Sequence, residues 1–403
     1  MNGEQDFALV VDEWFDGEQR HGAATLRVAD GRLVGTHAGD QGAALAAQGL
    51  AVQRGAFLMP GLVDAHVHLF LDGRSTDPAA RSAHLKQPVD VLTEAARASA
   101  RQALACGVTL VRDAGDRHGI NHRVRDEARD AAAGLARVRS GGLGIKRARR
   151  YGAFMATDVD DADSIRRSVA ELARANDEIK IILTGIIDFD AGAVTDEPQF
   201  DAAAAGVAVQ AAHEAGRKVM AHCSGEKGLR VAVAAGVDTI EHGFFMSRDI
   251  LLQMRDRDLA WTPTFCPVHF QWAEPQAAGW SAQTVGHLRR ILDAHAAQLH
   301  AAHALGVRLL LGTDAGSMGV AHGGAVFDEI DRYLEAGLPM AAVLQAATAA
   351  ARRHFDAAHA TLRPGAPFDA LMLARSPFAD ARALRGARRV WLQGHEVTAA
   401  ATP

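Results

Sequence analysis

The feature of this sequence that most limits its fold is a repeated alternation of short apolar runs and alanine-rich segments. The runs are rich in β-branched residues and end in polar or glycine-containing turns, as buried strands do. The segments between them have helical periodicity, and several end at a glycine suited to a helix C-terminus, such as Gly107, Gly216 or Gly306. Eight such runs occur, at residues 61–68, 107–113, 136–141, 178–184, 218–222, 238–242, 259–264 and 308–314.

Eight strand-then-helix units predict an α/β protein built as a (β/α)8 TIM barrel. The predicted helices include residues 89–105, 161–175, 200–215 and 283–305. Both ends of the chain differ from this middle part, because short β-like runs there are separated by Gly, Asp and Pro turns. We therefore expect a small β-sandwich domain formed from both termini (residues 1–56 and 365–403), with the barrel at residues 57–364.

Composition excludes several classes of protein. The 403 residues are 48% hydrophobic and 23% charged, unlike a disordered or fibrous chain. A net charge of −5 gives no electrostatic footprint for nucleic acid, and no apolar stretch resembles a signal peptide or a membrane span. The odd number of cysteines, three, favours a reducing compartment. We expect a cytoplasmic protein that acts on a small molecule, with neither nucleic acid nor membrane as partner.

Residues able to hold a metal ion recur where the predicted strands end, which is where barrel enzymes carry their catalytic groups. His66 and His68 are two apart on the first strand and so face the same side. Lys180 lies between isoleucines, and a buried ammonium is costly unless it is paired or neutralised. The fifth, sixth and eighth runs end in two histidines and an aspartate. The candidate site residues are thus His66, His68, Lys180, His222, His242 and Asp314.

These motifs resemble those of the amidohydrolase superfamily, and more narrowly the imidazolonepropionase-related branch that includes metal-dependent dipeptidases. The matching segments lie in the order of the family and span nearly the whole chain. They are PGLVDAHVH at 60–68, CGVTLVRD at 106–113, IK at 179–180, AHCSG at 221–225, IEHG at 240–243 and GTDAG at 312–316.

The resemblance implies a binuclear metal site. In it, His66, His68 and Asp314 hold one ion, His222 and His242 hold the second, and Lys180, converted by carbon dioxide to a carbamate, bridges both. Zinc suits such ligands, and manganese, cobalt or iron would fit nearly as well. A hydroxide shared by the ions would attack a carbonyl carbon, and Asp314 would pass the proton to the leaving nitrogen. The implied reaction is hydrolysis of an amide-like C–N bond, and the family also implies a homo-oligomer.

Departures from the family pattern narrow the activity. Deaminases usually place a glutamate three residues after the histidine equivalent to His222, whereas here Glu226 is one position late. Imidazolonepropionase lacks the bridging lysine, so both activities are disfavoured. Dipeptidase relatives carry a tyrosine just beyond that histidine, where this chain has Cys223 and Ser224.

Three functions therefore stay open at this point. The first is hydrolysis of a small carboxamide, carbamate or urea, as in the phenylurea and thiocarbamate hydrolases. The second is an Xaa-terminal dipeptidase, and the third is a catalytically inactive barrel that acts as a binding protein. Inactive relatives typically lose ligands, and all six are present here.

Residues outside the metal ligands are candidates for contact with the substrate. Tyr151 is expected on a loop over the third strand, and His322 follows the eighth strand. The basic run at 146–150 either receives an anionic substrate or is a solvated loop. The aromatic residues around the seventh run form either an apolar wall or part of the core; they are Trp261, Phe265, Phe270 and Trp272.

Overall fold

The computed structural model describes residues 6–357, 359–386 and 388–397. The strands are β1 (Phe7–Phe15), β2 (Arg20–His21), β3 (Ala24–Ala29), β4 (Arg32–Ala38), β5 (Ala51–Pro60), β6 (Leu62–Val67), β7 (Val108–Asp113), β8 (Arg137–Ser140), β9 (Gly144–Lys146), β10 (Ala156–Asp158), β11 (Glu178–Ile182), β12 (Lys218–Cys223), β13 (Thr239–His242), β14 (Ala260–Thr262), β15 (Arg308–Leu309), β16 (Ala370–Leu373), β17 (Arg388–Leu392) and β18 (His395–Val397). The α-helices are α1 (Gly42–Ala47), α2 (Pro78–His84), α3 (Val89–Ala105), α4 (Ile120–Glu127), α5 (Ala162–Leu172), α6 (Ala202–Glu214), α7 (Glu226–Ala235), α8 (Arg248–Asp256), α9 (Cys266–Ala273), α10 (Pro275–Ala278), α11 (Ala282–Leu305), α12 (Ala325–Glu335), α13 (Met340–Gln345) and α14 (Ala351–His354).

One sheet combines both ends of the chain. Its order is β18-β17-β16-β5-β1-β3-β4, with β2 paired to β1. The central strand β5 pairs in parallel with β1 and antiparallel with β16. Aromatic side chains from the two ends of the chain pack against one another in this sheet. The ring of Phe368 lies 5.8 Å from that of Phe7 and 5.9 Å from that of Trp391. The sequence did not predict β5, in which polar residues and a glycine interrupt the apolar run.

The middle of the chain forms parallel sheets, so the α/β class is confirmed. Their orders are β6-β7-β8 and β10-β9-β11-β12-β13-β14-β15, and each of the eight predicted runs contains a strand. Backbone hydrogen bonds link the two sheets at both sides. The Ala65 amide donates to the Leu311 carbonyl (2.8 Å), and the Asp177 amide donates to the Ser140 carbonyl (2.9 Å).

The helices begin and end where short-range chemistry requires. The side chains of Asp161, Asp201 and Ser281 accept backbone amide hydrogens at the starts of α5, α6 and α11. Gly306 ends α11 in the left-handed region, at φ +80°, which glycine adopts without steric cost. Four predicted helices are confirmed as α3, α5, α6 and α11, with ends shifted by three residues at most. In the described part of the chain, no helix is long and apolar enough to cross a membrane.

Candidate metal-binding active site

Four histidines from three strands meet at the carboxyl ends of the parallel strands. His66 lies on β6 and His68 just after it, His222 on β12, and His242 at the end of β13. The ring of His242 is 4.5 Å from that of His222 and 5.0 Å from that of His66, and the rings of His66 and His68 are 5.6 Å apart. The structure thus brings the four predicted histidines into one cluster.

Asp314 joins this cluster from the segment after β15. Its Oδ1 lies 3.7 Å from the Nε2 atoms of both His66 and His68. The ligand atoms of these three residues lie within 4.8 Å of one another, a spacing that could hold a metal ion. Its other carboxylate oxygen, Oδ2, accepts a hydrogen bond from Ser317 Oγ (3.0 Å).

Lys180 is fully buried on β11, and its Nζ has no hydrogen-bond partner among the described residues. Burial lowers the pKa of its ammonium, and the carboxylate charges of Glu241 and Asp314 oppose this shift. The Lys180 charge in turn lowers the pKa of each of the four histidines, which places it electrostatically in the same cluster.

The histidines are held as neutral imidazoles, the form that binds a metal ion. Burial lowers the pKa of His68 and of His222 to about 3, and the pKa values of His66 and His242 fall well below the usual range for the same reason. All four are therefore uncharged at neutral pH.

Hydrogen bonds at Nδ1 orient three of these rings. His66 Nδ1 meets Glu241 Oε2 (2.6 Å), His68 Nδ1 meets the Gly115 carbonyl (3.1 Å), and His242 Nδ1 meets Thr264 Oγ1 (2.7 Å). The Nε2 atoms of His66 and His242 lack a partner in the residues that the structure describes. These buried imidazole nitrogens have a lone pair free to bind a metal ion. Together with the carboxylate of Asp314 they form a set of ligands that fits divalent metal ions.

An ion-pair network that was not predicted from the sequence lies beneath the cluster. Arg112 is fully buried, and it donates to Glu241 Oε1 (2.6 Å), to Glu178 Oε2 (3.0 Å) and to the Ala65 carbonyl (2.6 Å). Glu241 thereby joins Arg112 to His66. The available signal was the presence of ionisable residues inside apolar runs, since each such residue needs a buried partner.

Three residues of the site have left-handed backbone conformations. The φ angles are +68° for His242, +51° for Thr264 and +55° for Asp314. Residues other than glycine rarely adopt this region, and each instance costs about 1–3 kcal/mol. The strands therefore turn sharply at their carboxyl ends, and the surrounding fold holds the side chains of the site in place despite this strain.

A cavity of about 270 Å³ opens above the cluster. His68, His222, His242 and Asp314 contribute to its floor. Its walls are mainly apolar and aromatic, and Ile186, 62% exposed, lies at the rim. No lysine or arginine lines it, within the described ranges. Uncharged polar residues also line the cavity, namely Ser224, Thr264, Gln271 and Ser317. The apolar and aromatic wall residues are Leu71, Tyr151, Phe154, Met155, Ile187, Phe189, Phe244, Pro267, Val268 and Met318.

The predicted substrate contacts divide into two groups. Tyr151 lines the cavity, and its ring lies 5.3 Å from the ring of His222. His322 is not part of the lining; its Nε2 faces the Leu71 carbonyl at 3.3 Å. The role of both residues in substrate binding stays a prediction.

Basic side chains of the run at 146–150 make ion pairs and hydrogen bonds with other residues of the protein. Lys146 pairs with Asp158, and Arg147 and Arg150 donate to backbone carbonyls. The aromatic residues of the seventh run also lie away from the cavity: Trp261 and Phe265 are buried in the core. The aromatic side chains of the cavity come from other loops.

A parallel α/β fold with a His-His-Asp group at its strand ends is typical of hydrolases that use a metal ion. Residues 57–397 match the amidohydrolase family, and the chain belongs to this family. The expected kinship is thereby confirmed.

Two relatives show how the chain compares in sequence. An uncharacterised protein of Mycobacterium tuberculosis is 29% identical over 327 residues, which cover 80% of each chain. Ochratoxinase of Aspergillus niger is 25% identical over 369 residues, which cover 84% of this chain and 75% of that protein.

Solved structures share the fold. The crystal structure of A. niger ochratoxinase superposes with a TM-score of 0.82 at 21% identity, covering 98% of this chain and 96% of the other. A Xaa-Pro dipeptidase with bound methionine gives 0.80 at 21% identity, covering 97% and 99%. Phenylurea hydrolase B gives 0.80 at 21% identity, covering 99% of both chains. Family and neighbours together support a hydrolase that acts on C–N bonds.

Proposed function

We propose that this protein is a binuclear metal-dependent amidohydrolase that cleaves the C–N bond of a small carboxamide, carbamate or urea. One observation carries the proposal. Four neutral histidines, Asp314 and Lys180 converge at the carboxyl ends of the strands, and buried ligand atoms among them have no protein partner in the described residues.

The proposed ligands divide between two ions. His66, His68 and Asp314 would hold one, and His222 and His242 the other. Lys180 would bridge them as a carbamate: its neutral amine adds to the carbon of carbon dioxide and loses a proton, so a buried cation becomes an anionic oxygen ligand. The lowered pKa of Lys180 supports this, because only the neutral amine reacts. Zinc is the ion we expect, since imidazole and oxygen ligands suit it.

Ions bound there would polarise the carbonyl of the substrate and lower the pKa of a water molecule. The chain itself supplies the proton transfer. Asp314 Oδ1 faces His66 and His68, which leaves Oδ2 to take a proton and pass it to the leaving nitrogen. The Tyr151 ring lies 5.3 Å from the ring of His222, and its hydroxyl would donate a hydrogen bond to the developing oxyanion.

The lining of the cavity favours an uncharged, largely apolar substrate. A dipeptide carries a carboxylate next to the scissile bond, and a buried carboxylate needs a cationic partner. No such side chain lines the cavity among the residues described. Arg81 lies in an adjoining cavity that shares Leu71 and Met318, and it donates to the carbonyls of Asp72 and Gly316. Because Arg81 is engaged by these backbone carbonyls and lies outside the cavity, it is a poor partner for the carboxylate of a dipeptide. A dipeptidase is therefore the second candidate function.

We further propose that the two parallel sheets form one closed (β/α)8 barrel, with the small sheet domain attached at its amino ends. The supporting contacts are the backbone hydrogen bonds that link β6 to the segment after β15, and β8 to the segment before β11. Closure is what aims the side chains of all strand ends at one central point.

Metal content and a matched substrate panel test the proposed activity. We expect about two ions per chain by plasma mass spectrometry. The panel pairs an N-acyl anilide, a phenylurea and a phenylcarbamate with dipeptides of the same size, and we expect turnover of the neutral compounds. Turnover of dipeptides alone would establish the dipeptidase. Two bound ions without turnover of any compound would favour a binding protein, and absence of metal after incubation with zinc and bicarbonate would overturn the proposal.

A further inference from the structure

A second cavity, of about 450 Å³, lies at the opposite, amino ends of the parallel strands, between those strands and the sheet formed by both ends of the chain. Arg137 is the first residue of β8 and Asp177 directly precedes β11, and both line it. We call this space the amino-end cavity. In residues 6–357, 359–386 and 388–397, five arginines line it: Arg125, Arg129, Arg137, Arg139 and Arg352.

Carboxylates balance only part of this charge. Asp369 accepts two hydrogen bonds from Arg137, at 2.9 and 3.0 Å, and Asp177 accepts one from Arg125 at 3.3 Å. These two aspartates line the cavity, and Glu178, behind its wall, pairs with Arg139. Asp126 pairs with both Arg125 and Arg129. Among the described residues one positive charge, that of Arg352, is then left without an ion pair.

Arg352, on α14, is the arginine with the poorest set of partners. Its side chain is 7% exposed, and its Nη2 donates to the neutral hydroxyl of Thr109 (2.9 Å). Its Nη1 has no partner among the described residues. Burial lowers the pKa of the guanidinium to about 10, so it keeps its charge at neutral pH. The charge of Asp369 partly opposes this shift, but Asp369 makes its ion-pair contact with Arg137. A buried charge without an ion pair of its own is costly, and an anion would be the missing partner.

A second polar atom of the same wall is also free. His359 lines the amino-end cavity, and its Nδ1 is buried with no partner in the part of the chain that the structure describes. Apolar side chains complete the lining, including Leu110, Val138 and Leu362. The site thus combines unused donors with an apolar surface and has more room than an inorganic anion needs.

We propose that the amino-end cavity binds a small organic phosphate, with Arg352 as its principal partner. A phosphomonoester carries a charge of about −1.5 to −2 at pH 7, opposite in sign to the guanidinium charge that has no ion pair. Guanidinium donors form a planar fork that suits tetrahedral oxyanions, and the apolar wall takes the carbon part of the ligand. This site is separate from the metal cluster, which lies at the other ends of the same strands.

Calorimetric titration of the metal-loaded protein with inorganic phosphate, at constant ionic strength, tests the proposal. The variants are Arg352→Gln and the control Arg353→Gln. Arg353 is the next residue, is 54% exposed, pairs with Glu18 and does not line the cavity. We expect saturable binding to the wild type and to the control, and a loss of at least about tenfold in affinity for Arg352→Gln, because one charge-assisted contact is removed.

Phosphate bound at the metal ions would be retained in Arg352→Gln, so unchanged affinity in that variant overturns the proposal. Absence of saturable binding to the wild type also overturns it, whether or not the variant folds. If Arg352→Gln fails to fold, Arg352→Lys keeps the charge and loses the planar fork. We then expect weakened but measurable binding, and binding equal to that of the wild type would count against the proposal.

Discussion

The two cavities at opposite ends of the parallel strands differ in the charge of the residues that line them. The cavity above the histidines has no lysine or arginine in its described lining, and the polar atoms left free there belong to the proposed metal ligands, beneath a mainly apolar wall. The amino-end cavity is lined by five arginines from the described ranges, most of them paired with carboxylates. The two proposals therefore assign cations and a neutral molecule to one end, and an anion to the other.

A continuous set of ion pairs, buried except for the partly exposed Arg139, lies between the two cavities. Arg139 pairs with Glu178, Arg112 joins Glu178 to Glu241, and Glu241 holds the Nδ1 of His66. Every charge in this set has an opposite charge beside it, which is the condition for burying ions without severe loss of stability. The difference in charge between the two cavities thus comes from the residues that line them. The strands between the cavities carry one shared network of ion pairs.

The largest effect should come from matched aspartates at the two ends. Asp314→Asn keeps the shape of the side chain and removes its ability to carry a proton, so kcat should fall by about 10²–10⁴-fold. Asp177→Asn, at the amino-end cavity, should leave kcat unchanged. Circular dichroism checks that both variants fold. Substantial activity in Asp314→Asn would contradict the proposed proton transfer.

Two buried lysines provide the next comparison. Lys180→Met should lose metal and activity, because the bridging anion is gone, and a short-chain carboxylate should restore part of the activity. Lys146→Met is the control, because Lys146 is 3% exposed yet pairs with Asp158 away from the site. Metal content by plasma mass spectrometry decides the matter, and a full complement of metal in Lys180→Met would exclude the bridging role.

A substitution at Tyr151 can distinguish an effect on catalysis from an effect on substrate binding at the apolar wall of the cavity. Tyr151→Phe removes a hydroxyl and keeps the aromatic surface, so kcat should fall by about 10²-fold, with little change in KM, if the hydroxyl stabilises the oxyanion. Phe154→Leu is the control for the wall, because it alters the apolar surface without removing a donor. A change confined to KM in Tyr151→Phe would reduce this residue to a packing role.

The shared network can be broken at Glu241. Glu241→Gln weakens the bond that orients His66 and leaves the Arg112 charge with one carboxylate fewer. We expect metal affinity to fall by about 10- to 100-fold and stability by about 3 kcal/mol. Competition with a chelator measures the first and denaturant unfolding the second. Unchanged metal affinity would show that Glu241 supports the fold alone.

The sequence was sufficient for the metal-ligand candidates but not for the two cavities. His66 and His68 lie at the end of one β-patterned run and Asp314 ends another, although β15 itself stops at Leu309. Strand periodicity and the rule for strand ends therefore bring these three residues together. The cavity walls come from loops such as that of Ile186, whose paths have no periodicity to follow. Arg352 and Arg137 are 215 positions apart and meet only through tertiary packing. The same holds for Arg112 and Glu241, whose pairing depends on the exact register of neighbouring strands.

The smallest expected effect is on the thermal stability of variants at Arg352. In phosphate-free buffer, Arg352→Met should raise Tm slightly, corresponding to about 1 kcal/mol, because an apolar side chain replaces a buried charge that lacks a counter-ion. Arg353→Met, at an exposed neighbouring position, should change Tm little. Added phosphate should stabilise the wild type and Arg353→Met but not Arg352→Met, so the order of Tm values reverses. A lower Tm for Arg352→Met in phosphate-free buffer would mean that groups of the protein itself already stabilise the charge of Arg352. The amino-end cavity would then need no anion, and the cavity above the histidines would be the one that binds a ligand.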